Sequence, residues 1–153
     1  MNVKFINPFL EGTTNVLKTM AFVEPRAGKP YLKMDNLAKG DISGIIGLTG
    51  SATGSLALSF SEGAILKIVS NMLGENIKSL NSDIKDAVGE ITNMISGVAR
   101  KNLEAEGFYI QAAIPTVVSG KNHSISHVMG GPSLIIPFEI DEGTFVVDVC
   151  LSE

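Results

Sequence analysis

Asp86, Glu90 and Asn93 are the residues whose types and spacing can do chemistry together. Separations of four and three place them near one line along a helix. The apolar residues of the same stretch, Ile84, Val88, Ile91, Ile95 and Val98, fall on the opposite side. A carboxylate can pair with a lysine or arginine of a partner. An amide both donates and accepts, so it can hold a water molecule. The trio lacks a nucleophile and a metal, so it cannot form a self-contained active site. It can complete one, by aiming a water at an electrophile that another molecule supplies. The plainer reading is a solvated helix face. Against it, asparagine is a mediocre helix former and wants a reason to sit mid-helix. Gly89 and Gly97 each cost about 1 kcal/mol relative to alanine. Small residues beside a carboxylate and an amide leave room for another protein to approach closely.

Other familiar signals are missing. Gly47-Leu48-Thr49-Gly50 with Gly54 fits neither a dinucleotide nor a phosphate loop, since no Gly-Lys-Ser/Thr follows, and it reads as a hairpin turn. His123 and His127 are four apart, but no carboxylate or cysteine stands near them, and zinc needs three or four ligands. They read as ordinary surface histidines. There is no Gly-x-Ser-x-Gly elbow. Cys150 lies in an apolar alternating stretch and reads as a core residue.

Composition narrows the classes. The chain has 153 residues, 44% of them hydrophobic, the usual size of one domain, so residues 1–153 are read as a single unit with a real core. Disorder is excluded by that hydrophobicity. Twelve basic and 16 acidic residues give a net charge of −4, the wrong sign for a polyanion binder, so nucleic acid and anionic membrane are not expected partners. One cysteine forms no internal disulfide. The first twelve residues lack the apolar core of a signal peptide, and no apolar run reaches the roughly 20 residues of a membrane span. A cytoplasmic location is expected.

The elements that must position the trio follow from periodicity. Phe9, Thr13, Val16, Leu17 and Met20 mark a first helix over Asn7 to Phe22, ended by Pro25, Gly28 and Pro30. A strand is expected around Tyr31 to Met34. Ile42, Gly44, Ile46 and Leu48 alternate, as do Leu56, Leu58 and Phe60, with the glycine-rich turn between them. Ser61 caps a second helix with apolar stripe Ile65, Ile68, Val69 and Met72, stopped by Gly74. The helix of the trio starts after Ser82, runs to about Glu104 and ends by Gly107. Strands are expected at Phe108 to Ala113, Val117 to Lys121, Leu134 to Ile140 and Thr144 to Leu151. This order predicts an α+β fold: a largely antiparallel sheet with two or three long helices on one face.

Asp86-Ala87-Val88-Gly89-Glu90-Ile91-Thr92-Asn93, with Pro115 twenty-two positions after Asn93, resembles the signature of the CheC/CheX/FliY phosphatases of bacterial chemotaxis. That signature is Asp or Ser, three residues, Glu, two residues, Asn, twenty-one residues, Pro. Met72-Leu73-Gly74-Glu75, Asn93-Met94-Ile95-Ser96-Gly97 and Pro115-Thr116-Val117-Val118-Ser119-Gly120 extend the likeness over most of the chain. The likeness is to the CheX branch. CheC-type chains carry two such motifs, whereas here Glu11 and Asn15 are one residue too far apart, and Asn7 stands where Asp or Ser belongs. FliY-type chains continue into a switch domain that this length cannot hold.

The resemblance implies a CheC-like fold and an aspartyl-phosphate phosphatase acting on a CheY-like response regulator. It implies that Glu90 pairs with the receiver's lysine and that Asn93 places the attacking water, with Asp86 and Pro115 in supporting roles. It also implies a Mg²⁺ supplied by the receiver, no cofactor or metal of the chain's own, and a homodimer. The alternative is a non-catalytic module that docks a receiver domain or a flagellar switch protein. A phosphate-release assay on a phosphorylated receiver separates the two.

Overall fold

The computed structural model describes residues 3–33, 37–126 and 132–153, and only the backbone of 37–39 and 126. The helices are α1 (Ile6–Ala21), α2 (Glu62–Leu73) and α3 (Ser82–Ala105). The strands are β1 (Arg26–Ala27), β2 (Tyr31–Lys33), β3 (Leu37–Gly50), β4 (Thr53–Phe60), β5 (Ile110–Ala112), β6 (Thr116–Ser126), β7 (Ser133–Ile140) and β8 (Gly143–Ser152). They form one eight-stranded sheet in the order β1-β7-β8-β4-β3-β5, with β2 also on β7 and β6 also on β3. Every pairing is antiparallel. The fold is α+β, as expected.

Local chemistry explains the helix ends. The Ser61 hydroxyl accepts from the Ala64 N–H at 3.3 Å, and Gly74, at φ +67°, closes α2. The cap of α3 is Asn81, one residue before the expected start: its side-chain oxygen accepts from the Ile84 N–H at 3.0 Å. Asn81 and Ser82 are both good caps, and sequence alone does not rank them. Helix α1 ends at Phe22, in the left-handed conformation, three residues before Pro25. Met20, placed on the buried stripe by spacing, is 45% exposed, because the stripe continues from Leu17 through Ala21, which is fully buried four residues on.

One face of the sheet carries the core. Cross-strand rows such as Gly44–Leu58–Val147–Ile136 and Ile46–Leu56–Val149–Leu134 meet the apolar stripes of the helices. Helix α3 lies over β3, and α1 packs along α3. At Gly44 the fit is so close that a Cβ would collide with the Thr92 hydroxyl and lie 3.2 Å from Thr92 Cβ and Val88 Cγ1. At Gly12 it would lie 3.2 Å from the Ile95 carbonyl oxygen, so α1 and α3 meet nearly backbone to backbone.

The opposite face is also buried at its centre: Ser43, Ala57, Ser59, Ile135, Asp148 and Cys150 are closed off from solvent. Burial and the nearby Asp148 carboxylate push the Cys150 thiol upward, as suits a core thiol. Strand β3 slips register between Gly40 and Ile42, a β-bulge. Asp41 sits at that bulge and joins three elements. One carboxylate oxygen accepts from the Glu62 N–H of α2 and the other from the Asn122 N–H of β6, both at 2.9 Å.

His123 is not the ordinary surface histidine that its neighbours suggested. It is half-buried, and its Nδ1 lies 2.7 Å from the Gly120 carbonyl, which can only accept, so Nδ1 carries the proton. Its Nε2 lies 2.8 Å from the buried Ser43 hydroxyl, itself 2.8 Å from Ser59 Oγ. His127 and Met34 lie outside the described residues.

Two stability predictions follow from these contacts. Gly44→Ala overpacks the α3–β3 seam and is expected to lower unfolding free energy by about 1–3 kcal/mol in urea denaturation. The two backbone N–H groups hold the Asp41 carboxyl below its ordinary value of 3.8. Its contribution to stability is therefore present above pH 3.8 and lost as pH falls through the depressed folded value. Asp41→Ala should lower the denaturation midpoint at pH 7 and shrink the difference between pH 7 and pH 3. An unchanged acid limb would remove Asp41 from that role.

Candidate functional site

The burial pattern of α3 divides it into two faces. Ile84, Val88, Ile91 and Ile95 are fully buried, and Thr92 and Ser96 are buried beside them. Asp86, Glu90 and Asn93 are all exposed. They span eight residues, about 10 Å along the axis. Structure thus brings the three together on one surface. Among the described residues none hydrogen-bonds or ion-pairs with their side chains, and the ion pairs present, Lys18–Glu24 and Arg26 with Glu139 and Asp141, involve other elements. The carboxylates and the amide keep their full hydrogen-bonding capacity for a partner.

Asn93 is placed by its neighbour. Thr92 donates its hydroxyl to the Val88 carbonyl at 2.7 Å and packs on Gly44, so the turn that carries Asn93 is seated directly on the sheet. Thr92 was not singled out by sequence; a threonine four residues after a valine in a helix gives no signal until Gly44 is beneath it.

Pro115 is half-buried where the chain leaves β5 and begins β6. It has no N–H for the ladder, which suits a junction between two strands that pair with different stretches of β3. Two residues later Val117 packs beside α3, with its Cγ2 3.6 Å from where a Cβ at Gly89 would stand. Gly89 therefore faces its own chain, whereas the space at Gly97 is limited only by Arg100 Nη2, 3.9 Å from its Cβ position. Both glycines are half-exposed, and each has one side-chain atom at ordinary contact distance. On α1, Asn7, Glu11 and Asn15 are exposed but keep their uneven spacing, so no second trio forms.

Two hollows bear on the site. A groove of about 760 Å³ lies between Phe22 and the end of α2, away from the polar face of α3. A cleft of about 580 Å³ continues that face: Gly97, Arg100 and Lys101 form one wall, Tyr109 and Gln111 the other. Among the described residues no three His, Cys, Asp or Glu side chains gather as a metal-ligand set. No described helix is long and apolar enough to cross a membrane. This surface can bind a cation at Glu90 and hold a water at Asn93. It offers no nucleophile of its own.

Comparison with known proteins agrees with this geometry. Residues 42–139 match the family described as Chemotaxis phosphatase CheX, a span that contains Asp86, Glu90, Asn93 and Pro115. The CheY-P phosphatase CheX of Thermotoga maritima is 32% identical over 126 residues, 82% of this chain and 81% of that one. A CheC-like superfamily protein from Shewanella sp. PV-4 is 49% identical, with a TM-score of 0.94 and full coverage of both chains. The CheX-CheY-BeF3-Mg²⁺ complex from Borrelia burgdorferi contains a chain 27% identical, with a TM-score of 0.80, covering 99% of this chain and 100% of that one. By family match and by identity across most of its length, the chain belongs to the chemotaxis phosphatase CheX family.

Proposed function

We propose that this chain hydrolyses the aspartyl phosphate of a CheY-like response regulator. The observation that carries the reading is a carboxylate and an amide three residues apart on α3, exposed and unengaged, in a chain of the CheX family. Supporting it, the Thermotoga maritima relative is named for action on CheY-P, and the Borrelia burgdorferi relative is assembled with CheY, BeF3 and Mg²⁺.

The receiver supplies the phosphoaspartate, its Mg²⁺ and a lysine. Glu90 pairs with that lysine and sets the register of the two proteins. Asn93, one turn on, reaches the phosphoryl group and holds a water in line with the scissile P–O bond. The water oxygen forms the new bond to phosphorus. The bonding pair of the old P–O bond leaves with the aspartate carboxylate, and the water's proton passes to the phosphate released or to solvent. Catalysis is by positioning, with the metal borrowed from the substrate. Asp86 extends the acidic half of the face, and Pro115 holds the β5–β6 junction beside the helix. Pairing of two chains through an exposed sheet edge completes the proposal, and sedimentation at micromolar concentration tests it.

The docking-module reading has no use for an amide at this spacing. Phosphate release from a phosphorylated receiver separates the two. Asn93→Ala is expected to cost a hundredfold or more in kcat, the range for removing one positioned catalytic group, with affinity for a receiver bearing a phosphate mimic nearly unchanged. Asn93→Asp keeps the shape but sets a negative charge against the phosphoryl group, and should be equally inactive. Near-parental turnover by either variant would sink the water-positioning role. Glu90→Ala should mainly weaken binding, by leaving the receiver's lysine unmatched. If parental binding proved insensitive to salt, the ion pair would not be its basis.

A further inference from the structure

The polar face of α3 does not end at Asn93. Seven residues on, Arg100 is half-buried, and its Nε–H donates to the hydroxyl of the fully buried Ser96 at 3.1 Å. Its Nη2 lies over Gly97, toward Asn93, as expected for a helical side chain that leans to the N-terminus. A guanidinium has five N–H donors. Among the described residues Ser96 is the one partner of this one, and no carboxylate pairs with it, although Glu104 lines the same cleft. A half-buried cation that lines an open cleft with most of its donors unused, and is held there by a buried hydroxyl, is preorganised for an anion. The tether lowers the side-chain entropy lost on binding.

Charge varies along this face, and Glu104 stands beyond Arg100 and Lys101 as one acid at the far rim of the cleft. Asp86 and Glu90 are acidic, Asn93 is neutral, and Arg100 and Lys101 are basic. A partner whose cation meets Glu90 and whose electrophile meets Asn93, and which extends further along the helix, reaches Gly97 and the cleft. We propose that Arg100, positioned by Ser96 and seconded by Lys101, receives a carboxylate on the surface of the phosphorylated receiver, and that this contact sets the receiver's orientation and selects among receivers. This inference rests on the function proposed above. Glu90 and Arg100 attract opposite charges, so a receiver docked in reverse meets like charge at these two positions.

The test uses the intact chain and a receiver activated with beryllium trifluoride, with affinity and turnover measured side by side. Arg100→Ala should raise Kd and KM about tenfold and flatten their salt dependence, while kcat stays within about twofold. Arg100→Lys keeps the charge but loses the Nε–H tether, and Ser96→Ala frees the arginine; both should fall between parent and Arg100→Ala. Thermal melts confirm folding of each variant. Arg100→Glu should bind more weakly than Arg100→Ala, and should be rescued by lysine at one acidic surface position of the receiver. Unchanged Kd and salt slope in Arg100→Ala, or loss of kcat alone, would overturn the proposal. Affinity is read without turnover, so a parent that binds the receiver but releases no phosphate would end the phosphatase reading and leave the Arg100 contact to be decided by Kd.

Discussion

The seat of α3 on β3 is the contact on which the rest depends. Thr92 packs where Gly44 has no side chain, and its hydroxyl is satisfied by the Val88 carbonyl rather than left unpaired in the core. Asn93 is the next residue, so its direction into solvent is set by how Thr92 is held. On the other flank Gly12 lets α1 close on Ile95 and Ala99. A helix clamped between a sheet and a second helix cannot roll without breaking one of these close contacts. Close packing transmits such constraints because the interior has little free volume to absorb a shift. The water-positioning role proposed for Asn93 needs that rigidity, since in-line geometry tolerates little error.

The face carries features that cost helix stability. Gly89, Gly97 and a mid-helix asparagine are all poorer helix formers than alanine. The buried stripe on the far side offsets them, with Ile84, Val88, Ile91 and Ile95 fully enclosed. Among the described residues the side chains of Asp86, Glu90 and Asn93 have no internal partner, which leaves them ready for another molecule. Under the proposed function the receiver brings electrophile and metal, and this chain brings an ordered face on which Asp86, Glu90 and Asn93 do not bond to one another.

Much of this was legible from spacing. A period of 3.6 gave α3 its two faces, and Ser61 and Gly74 marked α2 to within a residue. Alternation located β3, β4, β7 and β8. Other features were hidden for definite reasons. β1 is two residues long and exists only as a partner for Glu139 and Phe138 of β7. β6 runs five residues beyond its expected end because β3 is there to pair with it. His123 sits in a polar stretch, and its burial comes from Ser43, eighty residues away. The glycine pair on α3 looked alike in sequence and has different neighbours in the fold: Val117, from β6, beside Gly89, and Arg100, from the same helix, beside Gly97.

Residue order alone dictates which side chains share a helix face, since that depends only on the pitch of the helix. It therefore settled that Asp86, Glu90 and Asn93 align, and that Ile84, Val88, Ile91 and Ile95 oppose them. What covers each face is a matter of long-range packing, which no local period encodes. Only tertiary structure decided that Gly44 lies under Thr92, that Pro115 starts the strand beside the helix, and that Arg100 overhangs a cleft walled by Tyr109 and Gln111. Those contacts join residues far apart in the chain, and they arise when the sheet and the helices are brought together in three dimensions.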